Sequence, residues 1–310
     1  SYQNKPRIET SSSFLPAADS VQFMEFLKSN VKIKVEDYQK IIIEQIQLSE
    51  TSAFKATTGK LFSFMLLDDK ANNGNIVIHS KHTHTMKKIL LLHGALGCEE
   101  QLIPLSDLLA SEYEVLNYTF GSHGRKSAIQ HPFTINSLAN DLAEFLREQL
   151  VEPIPVFGYS MGGYVALWLA RHQPHLIEKV FTLGTKINWT AETVEKETKF
   201  LVPEKMEAKV PAYAKYLEDL HGNRWKTLLT NTAEMMHDLA QHHIKAEDFH
   251  RIQQPVVLSL GDGDTMVSRD ETEHAALMLP HGKFHLFENT LHPIEKVNPQ
   301  LLNEALNSFL

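Results

Sequence analysis

The sequence predicts an α/β fold with a mostly parallel central sheet flanked by helices. Short, continuously apolar runs, such as residues 89–92 (ILLL) and 154–157 (IPVF), are typical of parallel strands that are covered on both faces. These runs alternate with longer amphipathic segments, of which residues 136–150 are an example. Since alternating strands and helices produce a mostly parallel sheet, both observations indicate the same fold class.

The composition excludes several classes of protein. The chain has 310 residues, 43% of them hydrophobic and 22% charged, which is typical of a globular protein. No apolar run approaches the roughly 18 to 20 residues of a membrane-spanning helix, so we expect no membrane span. A net charge of -8 without any basic block argues against a nucleic-acid partner. The single cysteine, Cys98, excludes an internal disulfide and indicates a reducing, cytoplasmic compartment.

The elements follow in chain order. Residues 1–60 carry no decisive pattern, and we expect an N-terminal appendage of helical or mixed structure. Residues 61–67 and 75–79 flank a polar turn and predict a hairpin. The predicted strands of the sheet are residues 89–92, 113–118, 154–157, 178–183, 255–260 and 283–287. Helices are predicted at residues 100–111 and 136–150, in a segment that ends near residue 172, and repeatedly in the long insert from residue 186 to about 250.

The sequence Gly158-Tyr159-Ser160-Met161-Gly162 joins a predicted strand to a predicted helix. In that context Gly-x-Ser-x-Gly is typical of a strained turn that lifts the serine hydroxyl above the sheet. The helix that follows points free N–H groups and its positive dipole end at the space above the serine. The motif alone also fits an ordinary glycine-rich turn, so its interpretation depends on the rest of the chain.

An acid and a histidine follow the ends of two later strands. Asp262 and Asp264 follow residues 255–260, and His292 follows residues 283–287. The carboxyl ends of parallel strands lie at one edge of a sheet, where chemistry gathers in folds of this kind. The chain order of serine, aspartate and histidine is that expected of a serine hydrolase built on such a sheet.

These motifs together resemble the α/β-hydrolase fold family. The motifs that carry the resemblance are His93-Gly94-Ala95-Leu96-Gly97, the elbow around Ser160 with Gly162-Gly163, Gly261-Asp262-Gly263-Asp264, and the late His292. The resemblance extends from about residue 61 to the end of the chain. It implies a core of residues 61–185 and 251–310, and a helical cap of residues 186–250 above the active site. The chain departs from the family at residues 118–125 (YTFGSHGR), which lack the aspartate often found there.

The resemblance implies a catalytic triad of Ser160, Asp264 and His292. A serine hydroxyl is a weak nucleophile, so His292 would take its proton while Asp264 holds and stabilises the imidazole. We expect Asp264 rather than Asp262 to act, because the family motif places the working acid second. Asp262 is expected to support its own turn through backbone hydrogen bonds.

Two backbone N–H groups are expected to bind the oxyanion. That of Met161 directly follows the nucleophile, and the resemblance assigns the second to Ala95. Two other histidines compete for a catalytic role. His285 falls inside a predicted strand and is expected to be a packed structural residue, whereas His93 is expected to fix its loop by bonding to backbone.

The sequence therefore predicts a serine hydrolase that cleaves a small acyl substrate, a carboxylic ester in the first place, through an acyl-enzyme. Thioesterase, lactonase, carbon–carbon bond hydrolase, aminopeptidase and acyltransferase activities use the same triad and stay open, as does a non-catalytic ligand-binding role. No metal or organic cofactor is required. The histidine pairs His82/His84 and His242/His243 lack the neighbours of a zinc site. The small-molecule substrate is the expected partner, and the oligomeric state is left open.

Overall fold

The computed structural model describes residues 86–129, 132–149 and 152–310. It also describes five short strands nearer the N-terminus: Ile8–Thr10, Phe54–Lys55, Leu61–Ser63, Ile76–Ile78 and Lys81–His82. The chain divides into two compact units, residues 1–86 and 87–310. The predicted N-terminal appendage falls within the first unit, and most of it lies outside the described residues.

The first unit contains two small strand pairings. Ile8–Thr10 runs parallel to Ile76–Ile78, whereas Leu61–Ser63 is antiparallel to both Phe54–Lys55 and Lys81–His82. Leu61–Ser63 thus pairs antiparallel with a strand just beyond the predicted second segment, whereas Ile76–Ile78 pairs with Ile8–Thr10. Residues 64–67, 75 and 79 lie outside the described residues, so the predicted hairpin between residues 61–67 and 75–79 stays a prediction. Apolar patterning identifies a strand, but a short strand with little pattern does not specify its partner.

The second unit contains a six-stranded sheet in which every neighbouring pair is parallel. Its strands are β1 (Lys87–Leu92), β2 (Tyr113–Tyr118), β3 (Ile154–Tyr159), β4 (Ile177–Leu183), β5 (Val256–Gly261) and β6 (Gly282–Phe287). They are arranged in the order β6-β5-β4-β3-β1-β2. The predicted fold class is confirmed, and each of the six predicted sheet strands corresponds to one of these.

Nine α-helices are described in this unit. They are α1 (Ile103–Leu109), α2 (Ile135–Gln149), α3 (Met161–His172), α4 (Ala191–Thr198), α5 (Pro203–Lys209), α6 (Pro211–His221), α7 (Trp225–His242), α8 (Arg269–Met278) and α9 (Pro299–Phe309). Several begin at recognisable start signals. Ser268 and Glu271 form a capping box at α8, and proline is the first residue of α5, α6 and α9.

The core lies on both faces of the sheet. Leu90 and Leu92 pack with residues of α2 and α3 on one face, while Ile89 and Leu91 pack with residues of α1 and α9 on the other. All four side chains are fully buried. Each such burial stabilises the fold by about 1.5–3 kcal/mol, which explains why the strand is continuously apolar rather than alternating.

The strand order positions the functional residues. β1 has β2 on one side and β3 on the other, so the chain reverses its direction across the sheet between β2 and β3. A crevice forms at such a switch point, outside the carboxyl ends of the strands. Helices α4 to α7 are inserted between β4 and β5, in the segment where the cap is predicted. The boundaries of the predicted cap and core stay predictions.

Candidate active site

Ser160 occupies a sharp turn between β3 and α3. Its backbone has φ 51° and ψ -115°, a conformation that is strained for any residue other than glycine. Two hydrogen bonds from β4 and the residues after it hold the turn. The Ser160 N–H donates to the carbonyl of Leu183 at 2.8 Å, and the hydroxyl of Thr185 donates to the carbonyl of Ser160 at 3.0 Å.

The glycines of the elbow are required by close backbone approach. A Cβ at Gly158 would lie 2.5 Å from the backbone nitrogen of Gly163, and one at Gly162 would lie 2.5 Å from the carbonyl oxygen of Leu92. Neither contact can be relieved by moving a flexible side chain. Glycine therefore lets α3 pack directly against the ends of β1 and β3, as the sequence motif predicts.

Asp264 and His292 are in direct contact at the ends of β5 and β6. Asp264 Oδ2 and His292 Nδ1 are 2.6 Å apart, and the Asp264 side chain is 1% exposed. The other carboxylate oxygen, Oδ1, accepts the N–H groups of Met266 and Val267 at 2.8 and 2.9 Å. A neutral imidazole that donates from Nδ1 has an unprotonated Nε2, so that atom of His292 is available to accept a proton.

Asp262 has a different role from the one expected. It was expected to support its own turn, but its Oδ1 accepts the N–H of Thr290 at 3.1 Å, in the loop that carries His292. The N–H of Asp262 also donates to the carbonyl of Phe287 at 2.9 Å. Asp262 thus joins the two loops because β5 and β6 are adjacent, while the bonds within the acid loop fall to Asp264.

Two residues that support His292 are not singled out by the sequence motifs. The hydroxyl of Tyr159 donates to the carbonyl of His292 at 3.1 Å. Gly184 has φ +62°, and a Cβ there would lie 3.1 Å from His292 Nδ1 and 3.3 Å from Asp264 Oδ2. A glycine directly after a strand end was the available signal for Gly184. No local pattern identifies Tyr159, because its partner is 133 residues away.

The loop after β1 passes over the elbow. A Cβ at Gly94 would lie 2.7 Å from the Tyr159 ring and 3.3 Å from Ser160 Cβ, so this position also requires close approach. Ala95 follows Gly94 directly, and Met161 begins α3, where the first N–H groups have no acceptor within the helix. Ala95 and Met161 line the same cavity as Ser160 and His292.

His93 anchors this loop. The N–H of Phe120 donates to His93 Nε2 at 3.1 Å, so the proton of the neutral ring is on Nδ1, which donates to the carbonyl of Gly94 at 2.8 Å. Its complete burial lowers the pKa of His93 to about 4. The ring bonds to backbone, as expected, and it stays neutral at neutral pH.

Two further histidines, His123 and His221, connect this loop to the helical insert between β4 and β5. His221, the last residue of α6, accepts the N–H of Gly124 at Nδ1 (2.8 Å), so its Nε2–H donates to the carbonyl of Leu96 at 2.9 Å. The His123 ring lies between the two others, with ring centroids 4.9 Å from His93 and 6.0 Å from His221. Burial lowers the pKa of both His123 and His221. This histidine cluster (His93, His123, His221) fastens α6 to the loop after β1.

The cavity contains about 480 Å³ of free space, part of which is open to solvent. Its floor consists of residues at the strand ends: Ala95, Ser160, Met161 and His292. Its roof consists of apolar residues of the insert between β4 and β5: Trp189, Met235, Met236 and Leu239. Two charged residues, Lys186 and Glu197, also line it. The arrangement is a mostly apolar pocket above a serine and a histidine.

Cys98 and His285 lie apart from the proposed catalytic residues. Cys98 is 3% exposed, and burial raises the pKa of its thiol. His285 lies in β6 as expected, and its ring is 4.4 Å from that of Phe287 between centroids. Its side chain is nevertheless largely exposed rather than packed, because β6 is an edge strand of the sheet.

Two kinds of feature are absent from the described part of the chain. No group of three or more histidine, cysteine, aspartate or glutamate side chains lies there in an arrangement that could hold a metal ion. Within the same residues, no helix combines the length and the apolar character needed to cross a membrane. The pair His82/His84 lies outside the residues whose side chains are described. His242 and His243 instead contact Asp238 and the carbonyl of Leu239.

Comparison with known proteins gives concordant matches. A family model described as "alpha/beta hydrolase fold" matches residues 87–202. An (E)-2-((N-methylformamido)methylene)succinate hydrolase of Acinetobacter baylyi is 19% identical over 72% of this chain and 89% of its own length. An sn-1-specific diacylglycerol lipase of Mus musculus is 24% identical over 73% of this chain and 81% of its own. A thermophilic esterase from Thermogutta terrifontis superposes with a TM-score of 0.61 at 18% identity, covering 83% and 96% of the two chains. At this identity, the structural likeness shows the fold alone.

Proposed function

Since the chain belongs to the α/β-hydrolase fold family and is a hydrolase of that fold, we propose that it cleaves a small acyl substrate, a carboxylic ester in the first place, through an acyl-enzyme on Ser160. The contact between Asp264 and His292 at 2.6 Å, with His292 and Ser160 lining one cavity, is the observation that carries this proposal.

The mechanism follows from the protonation of His292. With Nδ1–H donated to Asp264, Nε2 takes the proton of the Ser160 hydroxyl as its oxygen attacks the substrate carbonyl. Nε2 then gives this proton to the departing alcohol, which leaves an acyl group on Ser160. A water molecule hydrolyses that ester by the same proton transfers in reverse. Asp264 fixes the tautomer of the imidazole and stabilises its charged form.

The oxyanion of each tetrahedral intermediate is held by the backbone N–H groups of Ala95 and Met161. Donors that are already oriented stabilise this charge without reorganisation, and one such donor is worth about 3–4 kcal/mol of the barrier. The positioning of Gly94 over Ser160 supports the role of Ala95. The position of Met161 at the start of α3 supports its own role, because that N–H has no helical acceptor.

Several related reactions use the same groups. Thioesters, lactones, aminoacyl amides and activated carbon–carbon bonds all present a carbonyl carbon to the serine, and transfer to an alcohol instead of water makes an acyltransferase. The names of the relatives, a lipase, an esterase and an amidomethylene-succinate hydrolase, span more than one of these classes. We place a carboxylic ester first because the lipase among these relatives is named for ester hydrolysis and because an alcohol leaving group can take the proton from His292.

The remaining parts of the proposal concern partners and compartment. The mostly apolar cavity beside Ser160 and His292 supports a small-molecule acyl substrate as the partner. A single, buried cysteine supports a reducing, cytoplasmic compartment. The proposed triad and oxyanion donors do their work without a metal or organic cofactor.

The experiment that tests this function combines turnover with covalent labelling. We expect the protein to hydrolyse members of a panel of esters, thioesters and aminoacyl amides of graded chain length, and to be labelled by a fluorophosphonate probe. Ser160→Ala should abolish both while the thermal unfolding transition is kept. Turnover that survives in Ser160→Ala would remove the proposed nucleophile, and absence of labelling in the folded wild type would favour a non-catalytic binding role.

A further inference from the structure

Two charged side chains lie in the wall of an otherwise mostly apolar cavity. Lys186, which follows β4, and Glu197, in α4, line the cavity that Ser160 and His292 also line. Their side chains are only 14% and 10% exposed. Charges are costly to remove from water unless they are paired and hydrogen-bonded, so the partners of these two groups determine what else the cavity can accept.

Lys186 is balanced by groups of this chain. Its Nζ donates to the carbonyl of Met266 at 2.6 Å. The same nitrogen lies 3.8 Å from Glu197 Oε1 and 3.9 Å from Glu271 Oε2. One cation between two carboxylates leaves a net negative charge at this end of the cavity. A carboxylate on the substrate would therefore meet net repulsion here.

Glu271 already has its hydrogen bonds. Its Oε1 accepts the N–H groups of Ile187 and Asn188 at 3.0 and 3.3 Å. Its Oε2 accepts the N–H of Ser268 at 3.3 Å and the Ser268 hydroxyl at 3.2 Å. These four hydrogen bonds connect the start of α8 to the chain after β4, so Glu271 has a structural role.

Glu197 is in the opposite situation. Its side chain is nine-tenths buried, and neither carboxylate oxygen accepts a hydrogen bond from the described residues. Oε1 is completely covered, so Oε2 is the oxygen that a ligand in the cavity can reach. Lys186 Nζ, at 3.8 Å, is an ionic neighbour but is too far away to be a hydrogen-bond donor. A buried carboxylate oxygen without a donor is rare and unfavourable, and here it belongs to a residue of the cavity wall.

We propose that Glu197 accepts a hydrogen bond from a hydroxyl or ammonium group of the substrate, and that the enzyme therefore selects acyl substrates that carry such a donor away from the scissile carbonyl. Lys186 holds the carboxylate in place but does not satisfy it. The net negative charge of Lys186, Glu197 and Glu271 disfavours dicarboxylate-type substrates. This inference rests on the proposed function of Ser160 and names the substrate class of the same site.

The test uses p-nitrophenyl esters of graded chain length whose acyl chains end in a methyl, hydroxyl, ammonium or carboxylate group. A hydrogen bond to a charged group changes affinity by about tenfold to a hundredfold. At the chain length that reaches Glu197, we expect kcat/KM of the wild type for the hydroxyl and ammonium esters to exceed that for the methyl ester by about tenfold or more. The carboxylate ester should be the poorest substrate.

Two variants of Glu197 and one matched control separate charge from shape. Glu197→Gln keeps a carbonyl acceptor and the side-chain shape, so the preference for ammonium should vanish while part of the preference for hydroxyl stays. Glu197→Leu should remove both preferences, measured as ratios to the methyl ester. Glu195→Gln makes the same charge change at an exposed position of the same helix and should leave both ratios as in the wild type.

The outcomes distinguish the inference from the function on which it rests. The inference is overturned if the wild type and Glu197→Leu give equal ratios, or if the wild type prefers the carboxylate ester. In either case, Ser160-dependent cleavage of the methyl ester would still uphold the proposed function. A panel that is inert throughout, with Ser160 unlabelled by a fluorophosphonate, would overturn both. Thermal unfolding of each variant shows that the ratios come from folded protein, and Glu197→Gln keeps the test decisive if Glu197→Leu does not fold.

Discussion

The floor and the roof of the cavity are held by different kinds of interaction. At the floor, hydrogen bonds with at least one backbone partner position the proposed catalytic residues: the carbonyl of Leu183 holds the Ser160 turn, and the N–H groups of Met266 and Val267 hold the Asp264 carboxylate. The roof instead contributes side chains, such as those of Trp189 and Met236. Backbone geometry changes little when a sequence changes, whereas side chains change freely. We therefore expect the floor to determine the type of reaction and the roof to determine which substrates bind.

The largest effect should come from Asp264 at the floor. Asp264→Asn removes the acceptor that fixes the tautomer of His292, and we expect kcat to fall by about 10⁴. Asp262→Asn is the matched control, because Asp262 contacts the Thr290 N–H rather than the imidazole. Its effect on kcat should be far smaller. Steady-state kinetics of both variants on one good substrate check this prediction, and a more damaging Asp262→Asn would reverse the choice of acid.

A smaller effect should come from the histidine cluster that links roof and floor. Burial lowers the pKa of His93 from 6.5 to about 4 in the folded state. Between pH 4 and 6.5, His93 binds a proton in the unfolded chain but not in the folded one. The free energy of unfolding is therefore highest above about pH 6.5 and falls as the pH decreases toward 4. The lowered pKa of His93 alone should decrease the free energy of unfolding by about 3 kcal/mol over this pH range.

His123 offers a way to test the contribution of the cluster. Its Nε2 is buried without a partner among the described residues, and its ring packs beside those of Phe120 and Phe133. His123→Phe should therefore reduce the acid-induced loss of stability. His175→Phe, at an exposed position, should not. Denaturant unfolding at a series of pH values measures the loss, and equal slopes in the wild type and His123→Phe would contradict this account.

The smallest effect should come from the roof. Met236→Ala enlarges the cavity at one wall without touching the proposed triad, and a single methylene in an apolar pocket is worth about 1–3 kcal/mol of discrimination. We expect the optimum chain length of the substrate to increase, with kcat/KM for longer acyl chains rising severalfold relative to short ones. Leu277→Ala, which truncates a side chain that is 84% exposed, is the control. A uniform loss over all chain lengths would mean that Met236 supports the floor rather than selecting the substrate.

Much of the fold could be predicted from local sequence. The continuous run of residues 89–92 predicted a strand buried on both faces, and the glycines around Ser160 predicted a close approach of strand and helix; both features are present. Asp264 and His292 were expected to meet at one sheet edge, and they are 2.6 Å apart. Their catalytic roles, and those of Ser160, Ala95 and Met161, stay predictions.

Other features depend on partners that are distant along the chain. The strand at residues 61–63 pairs with residues 54–55 as well as 81–82, and residues 76–78 pair with residues 8–10. Asp262 bonds across to Thr290 instead of within its own turn, and His221 contacts Leu96 across 125 residues. Such contacts leave no local periodicity in the sequence, because each partner has an ordinary neighbourhood of its own.

The sequence by itself determined the order of strands and helices, the strained serine turn and the chemical types available at the strand ends, because periodicity and backbone sterics act over a few residues. Only the tertiary structure decided which acid contacts His292, how the histidine cluster joins α6 to the loop after β1, and that Glu197 is left without a donor in the cavity wall. These three facts concern side chains brought together by the packing of separate elements, and packing distance is unrelated to distance along the chain.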